Sequence, residues 1–233
     1  MKKLITLILG IAFIYSCSTN SNDNSSNPVV PAILSSSTIG SQIWQSTNLN
    51  VTTYRDGTPI PQVSNPSSWA RLTTGAWCYY NNDPANEATY GKLYNWYAVA
   101  GIHDNDPNTP NKVLAPVGWH IPTDTEWTTL STFLGGETIA GGKMKEIGTV
   151  NWYSPNTGAT NSSSFNGLPG GYITVSGNVT SSFNFIKQNG VWWSSSELLS
   201  SSAWFRELKY NGQDIFRSDF NKSSGFSVRC VKD

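Results

Sequence analysis

The apolar run over residues 4–14 follows Lys2 and Lys3 and breaks at Cys17, and no other stretch divides this chain so sharply. A basic start, an apolar run too short to span a bilayer and a small residue, Ser16, at the break have the form of an export signal over residues 1–16. Residues 18–38 are Ser, Thr, Asn and Pro with almost no apolar content, too little to bury a core. What can fold is therefore residues 39–233, a length suited to one domain, with no internal period that would mark repeats.

Ile14-Tyr15-Ser16-Cys17 resembles the bacterial lipobox, with an aliphatic residue three before the cysteine and a small one directly before it. The expectation is a lipidated Cys17 and a tether over residues 17–38. The protein would then sit in the cell envelope, lipid-anchored to the outer membrane and exposed at the surface. Of three cysteines, Cys78 and Cys230 then remain as a pair in an oxidising compartment, where a lone pair is expected to form a disulfide. Closing so long a loop is worth about 4–5 kcal/mol.

Loss of Lys2 and Lys3 leaves 13 basic against 15 acidic residues, a formal charge of −2, which gives no electrostatic reason to bind nucleic acid. Charged residues make up only 13% of the chain against 12% aromatics, so the surface must be largely Ser, Thr and Asn, as in adaptable binding surfaces. For any single Trp, a place in the core is the better expectation. His103 and His120 sit in no nucleophile or zinc motif, and His120 reads as a packed strand residue. Glu146 and Asp214 cannot be paired from sequence. Asp104-Asn105-Asp106-Pro107-Asn108 alternates oxygen ligands as a calcium loop does. Ala115 stands where that loop needs a bidentate Glu, and a solvated turn is the simpler reading. No metal, cofactor or catalytic residue is expected.

Ile43-Trp44, Leu49-Asn50-Val51 and Ala76-Trp77-Cys78-Tyr79-Tyr80 read as short strands between turn residues. Leu93, Trp96, Tyr97 and Ala100 fall at helical spacing ahead of Gly101 and predict a helix between Asn86 and Ala100. Pro122-Thr123-Asp124-Thr125-Glu126-Trp127 is a capping box. Trp127, Leu130, Phe133 and Leu134 follow as an apolar stripe ended by Gly135-Gly136, which predicts a second, shorter helix. Beyond it only strands and turns are expected.

Tyr90-Gly91-Lys92-Leu93-Tyr94-Asn95-Trp96-Tyr97-Ala98-Val99, Gly118-Trp119-His120-Ile121-Pro122-Thr123, Ala140-Gly141-Gly142-Lys143, Leu168-Pro169-Gly170-Gly171, Trp192-Trp193-Ser194-Ser195 and Gly225-Phe226-Ser227-Val228-Arg229-Cys230-Val231 together resemble the Fibrobacter succinogenes major paralogous domain. The resemblance covers residues 39–233. Gln45-Ser46-Thr47 departs from it, where an acidic residue is usual. Ile121-Pro122-Thr123 with Glu126-Trp127, and Gly225-Phe226 with Arg229-Cys230, are similar at longer range to the formylglycine-generating-enzyme branch of the C-type-lectin fold. That similarity implies an α+β, C-type-lectin-like domain with two helices, paired terminal strands and long irregular loops. The paired thiols such enzymes need close in sequence are absent, so a binding module is expected rather than an enzyme; a structural cell-surface component is the remaining option. Such a module would recognise an extracellular glycan, protein or matrix ligand through its C-terminal loops. The segment from Trp192 to Lys222 supplies the candidates Glu197, Trp204, Arg206, Tyr210, Asn211, Asp214 and Arg217, beside Phe205, Phe216 and Asp219, residue types that anchor binding surfaces.

Overall fold

A computed structural model describes residues 34–233. The expected export signal, Cys17 and most of the expected tether lie outside the described residues. The strands are β1 (Ser36–Ile39), β2 (Gln42–Gln45), β3 (Trp77–Cys78), β4 (Leu93–Asn95), β5 (Trp119–His120) and β6 (Tyr172–Ser176). They continue with β7 (Thr180–Asn184), β8 (Asn189–Leu199), β9 (Ser202–Lys209), β10 (Phe216–Asn221), β11 (Gly225–Phe226) and β12 (Val231–Lys232). They form three sheets with orders β1-β2-β12-β5, β3-β4-β11-β6-β7 and β10-β9-β8. The helices are three single turns, α1 (Pro66–Trp69), α2 (Glu87–Tyr90) and α3 (Trp96–Val99), and two longer ones, α4 (Asp124–Phe133) and α5 (Glu137–Met144). No helix of the described residues is long and apolar enough to cross a membrane.

This is a mostly β architecture, and it overturns the expected α+β, C-type-lectin-like fold. The terminal strands are not partners, because β2 lies between β1 and β12, with Trp44 paired to both Ser37 and Val231. The C-terminal segment instead changes sheets: β11 pairs with β4 and β6, and β12 with β2 and β5. β1 also takes up Ser36, Ser37 and Thr38, which had read as tether.

The predicted helix between Asn86 and Ala100 is broken. Gly91, at φ 71°, turns the chain out of α2, and Leu93, Tyr94 and Asn95 are buried as a strand between β3 and β11. Three consecutive buried side chains need both faces covered, which a sheet interior supplies and an amphipathic helix does not. α4 forms where the capping box placed it: Thr123 Oγ1 accepts from the Glu126 amide at 3.2 Å, and Glu126 Oε2 accepts from the Thr123 amide at 2.8 Å. α5 was not expected, because Gly141 and Gly142 lower helix propensity. Both glycines are used for close approach. A Cβ on Gly141 would strike the Asp214 carbonyl, and one on Gly142 the Gly158 carbonyl.

Nine of the ten Trp residues are buried, Trp204 alone being half-exposed, so the indole content builds the core and not the surface. One cluster packs Trp44, Trp127, Phe165 and Trp192 under α4; another joins Trp193, Phe205, Phe226 and Cys230; a third holds Trp69, Cys78, Leu93 and Ile173. The expected Cys78–Cys230 disulfide is not formed. Both are free, fully buried thiols, Cys78 in β3 and Cys230 directly before β12, and they belong to different core clusters. Burial pushes both thiols up, Cys230 to about 12.

Two buried guanidinium groups tie the core. Arg229 donates to Asn48 Oδ1 at 2.8 Å and to the carbonyls of Gln45, Phe165 and Asn166 at 2.8, 2.7 and 3.0 Å, with its face 4.5 Å from the Phe165 ring centre. Arg206 donates to Asp124 Oδ1 at 2.7 Å and to Thr128 Oγ1 at 3.1 Å, fixing β9 to α4.

His120 is not packed as a strand core residue. Its Nε2 lies 2.7 Å from Glu126 Oε1 and its Nδ1 2.8 Å from Asp233 Oδ1, which suits the doubly protonated ring. Burial would depress the imidazole, but Glu126 and Asp233 hold it above its ordinary 6.5. Burial would raise Glu126, but the Thr123 amide and His120 hold it below its ordinary 4.5. The raised His120 stabilises fully below 6.5 and loses this as pH climbs through its folded value. The depressed Glu126 stabilises above 4.5 and loses this as pH falls. The melting-temperature advantage of the native protein over His120→Gln should therefore peak between pH 4.5 and 6.5 and shrink on both sides. A difference that stays constant across a pH series of thermal melts would show that His120 acts through shape alone.

Candidate functional site

β9 alternates strictly. Ala203, Phe205, Glu207 and Lys209 share one face; Ser202, Trp204, Arg206 and Leu208 share the other. Cross-strand register extends the first face, with Asn189, Val191 and Trp193 of β8 opposite Lys209, Glu207 and Phe205, and Phe216 and Ser218 of β10 opposite Glu207 and Phe205. This face does not end in a flat wall. Tyr172 of β6 and Phe185, stacked at 5.6 Å between ring centres, rise beside it, and together they enclose a cleft of about 590 Å³. That volume lies within the range of small-ligand sites, roughly 300–1,000 Å³.

The cleft is floored by rings. Phe226 stands 5.3 Å from Phe205 and 5.6 Å from Tyr172, and Phe205 stands 6.3 Å from Phe216 and 6.0 Å from Phe220, all centre to centre. Polar groups share the lining with the rings: Glu207 accepts from Asn189 Nδ2, and Lys209 Nζ lies 3.3 Å from Glu207 Oε2. Gln188, Ser218, Asp219, Tyr210 and Asn211 complete the lining. Rings interleaved with hydrogen-bonding side chains are the make-up of an adaptable recognition surface.

The mouth is held by an unusual fastening. Lys145, fully buried, donates from Nζ to the carbonyls of Thr157, Lys209 and Gly212 at 2.8, 2.9 and 2.7 Å. Desolvation pulls its ammonium down to about 8. The turn it grips carries Tyr210 and Asn211. The same turn lies against the two glycines of α5, where the Gly142 amide donates to Gln213 O at 2.8 Å. Tyr210 meets Tyr153 edge-on at 6.3 Å.

The seven residues expected to bind ligand separate in space. Tyr210 and Asn211 line the cleft. Arg206 is fully buried on the opposite face of β9 and belongs to the α4 contact. Arg217 is on that face too, 2.7 Å from Asp124 Oδ2 and 3.5 Å over the Trp204 ring, so Trp204 serves as its platform. Glu197 pairs with Lys222 at 3.0 Å near the far end of β8, and Asp214 is exposed in the turn against α5. Sequence reasoning missed Glu207, Asn189, Lys209, Tyr172, Phe185 and Phe226. The signal that could have found some of them is the alternation Phe205-Glu207-Lys209, a charged residue between an aromatic and a second charge on one strand face.

Asp104 and Asp106 spend their carboxylates on a turn, accepting from the amides of Asp106 and Asn108 at 3.0 and 2.9 Å. Among the described residues no group of three or more His, Cys, Asp or Glu is placed to hold a metal ion. Glu146 accepts from Asn151 Nδ2 and serves that local loop.

A family model described as the Fibrobacter succinogenes major domain matches residues 38–232. No curated protein and no solved structure matches the chain.

Proposed function

From a chain that belongs to the Fibrobacter succinogenes major domain family, a name that states no activity, we propose a binding module that recognises a glycan in the cleft over β8, β9 and β10 and carries out no chemistry on it. The observation that supports the reading is the cleft's make-up. A sugar ring offers a flat C–H face to Phe216, Tyr172 or Phe185, and hydroxyls at its edge to Asn189, Ser218, Asn211 and Tyr210. The proposal includes envelope anchoring through a lipidated Cys17, resting on the lipobox-like end of residues 1–16.

Titration of the purified domain with a panel of oligosaccharides tests the site. Phe216→Ala removes a ring that is 45% exposed, so stability should move by no more than about 1 kcal/mol, while ligand affinity should fall by about 2 kcal/mol. Unchanged affinity in Phe216→Ala and Tyr210→Ala would place the ligand elsewhere, and release of shortened sugars during the titration would make the protein an enzyme. Fractionation of cells carrying Cys17→Ser tests the anchor in the same preparation: the variant should leave the membrane fraction, and its retention there would refute lipidation.

A further inference from the structure

We infer that the ligand carries an ammonium group seated against Glu207, so that the substrate class is an amine-bearing saccharide; this rests on the reading of the cleft as a glycan site. Glu207 is only 8% exposed and lies among rings, where a carboxylate is costly unless something cationic or strongly donating answers it. Its Oε1 accepts from Asn189. Its Oε2 has Lys209 Nζ at 3.3 Å and accepts no hydrogen bond among the described residues. On this face of the three-stranded sheet Glu207 is the carboxylate and Lys209 the one cation beside it.

Lys209 shows what the site accommodates. Its Nζ stands 5.3 Å from the centre of the Phe216 ring while facing the carboxylate, the arrangement in which an ammonium gains from ring and anion together. The chain uses the same combination elsewhere in a closed form. Lys92 is buried, its Nζ 2.6 Å from Glu87 Oε1 and 4.8 and 5.3 Å from the ring centres of Trp77 and Tyr79. Beside that tight fitting the cleft version is loose: the Lys209 side chain is 45% exposed, on a flexible stem, and holds Glu207 at a longer distance without a hydrogen bond. A ligand ammonium can displace it and take both partners. The hydroxyl and amide groups of Ser218, Asn211 and Gln188 at the edge suit a saccharide better than the aliphatic stem of a lysyl peptide.

Three β1–4 tetrasaccharides that differ only at carbon 2 test this: glucosamine, N-acetylglucosamine and glucose, titrated at about pH 6, where the amine is protonated. The glucosamine tetramer should bind about tenfold more tightly than either other sugar. In Glu207→Gln that preference should vanish, and in Lys209→Met, which removes the internal competitor, it should widen. Equal binding of all three, or a preference that survives Glu207→Gln, overturns the ammonium inference and leaves the glycan reading standing. Failure of all three sugars where a lysine-rich peptide binds overturns the inference and the glycan reading together.

Discussion

Arg229→Met is expected to cost about 4 kcal/mol of folding stability, a large share of the roughly 5–15 kcal/mol that holds a domain folded. The guanidinium is fully buried, has four acceptors and meets no carboxylate; burial pulls it down to about 9, which still leaves it charged at neutral pH. Methionine fills much of the volume but donates nothing. The carbonyls of Gln45 and Phe165 would then lie buried without this donor, each costing about 1–3 kcal/mol. Asn48 would keep only Trp192 Nε1, at 2.9 Å, on its Oδ1. Arg229→Lys should recover part of the loss, since an ammonium has three donors but not the planar fork that reaches four acceptors. Urea denaturation of the three proteins gives the comparison, and a methionine variant within about 1 kcal/mol of the native protein would show that the acceptors find other donors.

The second large effect is expected at Asp124. Asp124→Ala leaves Arg206 fully buried without its anion and takes the bidentate partner from Arg217, a loss of about 3–5 kcal/mol. Burial works to raise the Asp124 carboxyl, but Arg217 and Arg206 hold it below its ordinary 3.8, so the native protein should lose this stabilisation as pH falls through that range. Replacing Asp124 by Leu together with Arg206 by Met should restore most of the stability, because a buried ion pair exchanged whole for apolar groups is often neutral. Chemical denaturation of Asp124→Ala beside the double variant decides the matter. If the double variant is as unstable as Asp124→Ala, the cost lies in shape or in the start of α4 rather than in an abandoned charge.

What could be read from the residues was what short-range chemistry determines. The capping box of α4 needs only Thr123 and Glu126, three residues apart, and it formed as expected. The runs around Ile43-Trp44, Trp77-Cys78 and Trp192-Trp193 became strands because their bulky side chains leave few alternatives. The 86–100 region misled because Leu93, Trp96, Tyr97 and Ala100 imitate a helical stripe; β3 and β11, distant in sequence, supply the hydrogen bonds that make Leu93–Asn95 a strand. Helix α5 hid behind its glycines, whose purpose is visible only once residues 213 and 214 are seen against them. The cleft was legible at Tyr210 and Asn211 and illegible at Glu207, since the Asn189 that answers it is set by the register of β8 on β9. Arg206 and Arg217 carry residue types that favour binding surfaces, and only the position of Asp124 shows that both are engaged within the protein's own ion pairs.

The two buried thiols amount to a pair of clocks. Cys78 and Cys230 react with an alkylating reagent only when the protein opens, since a buried, protonated thiol is inert. They sit in separate core clusters, so the ratio of their labelling rates, read by peptide mapping, reports whether the sheet of β3 and the sheet of β12 come apart in one event or in two. Equal rates would mean a single cooperative unit. A faster Cys78 would mean that the five-stranded sheet, with the aromatic wall that Tyr172 raises over the cleft, loosens while the rest of the fold holds.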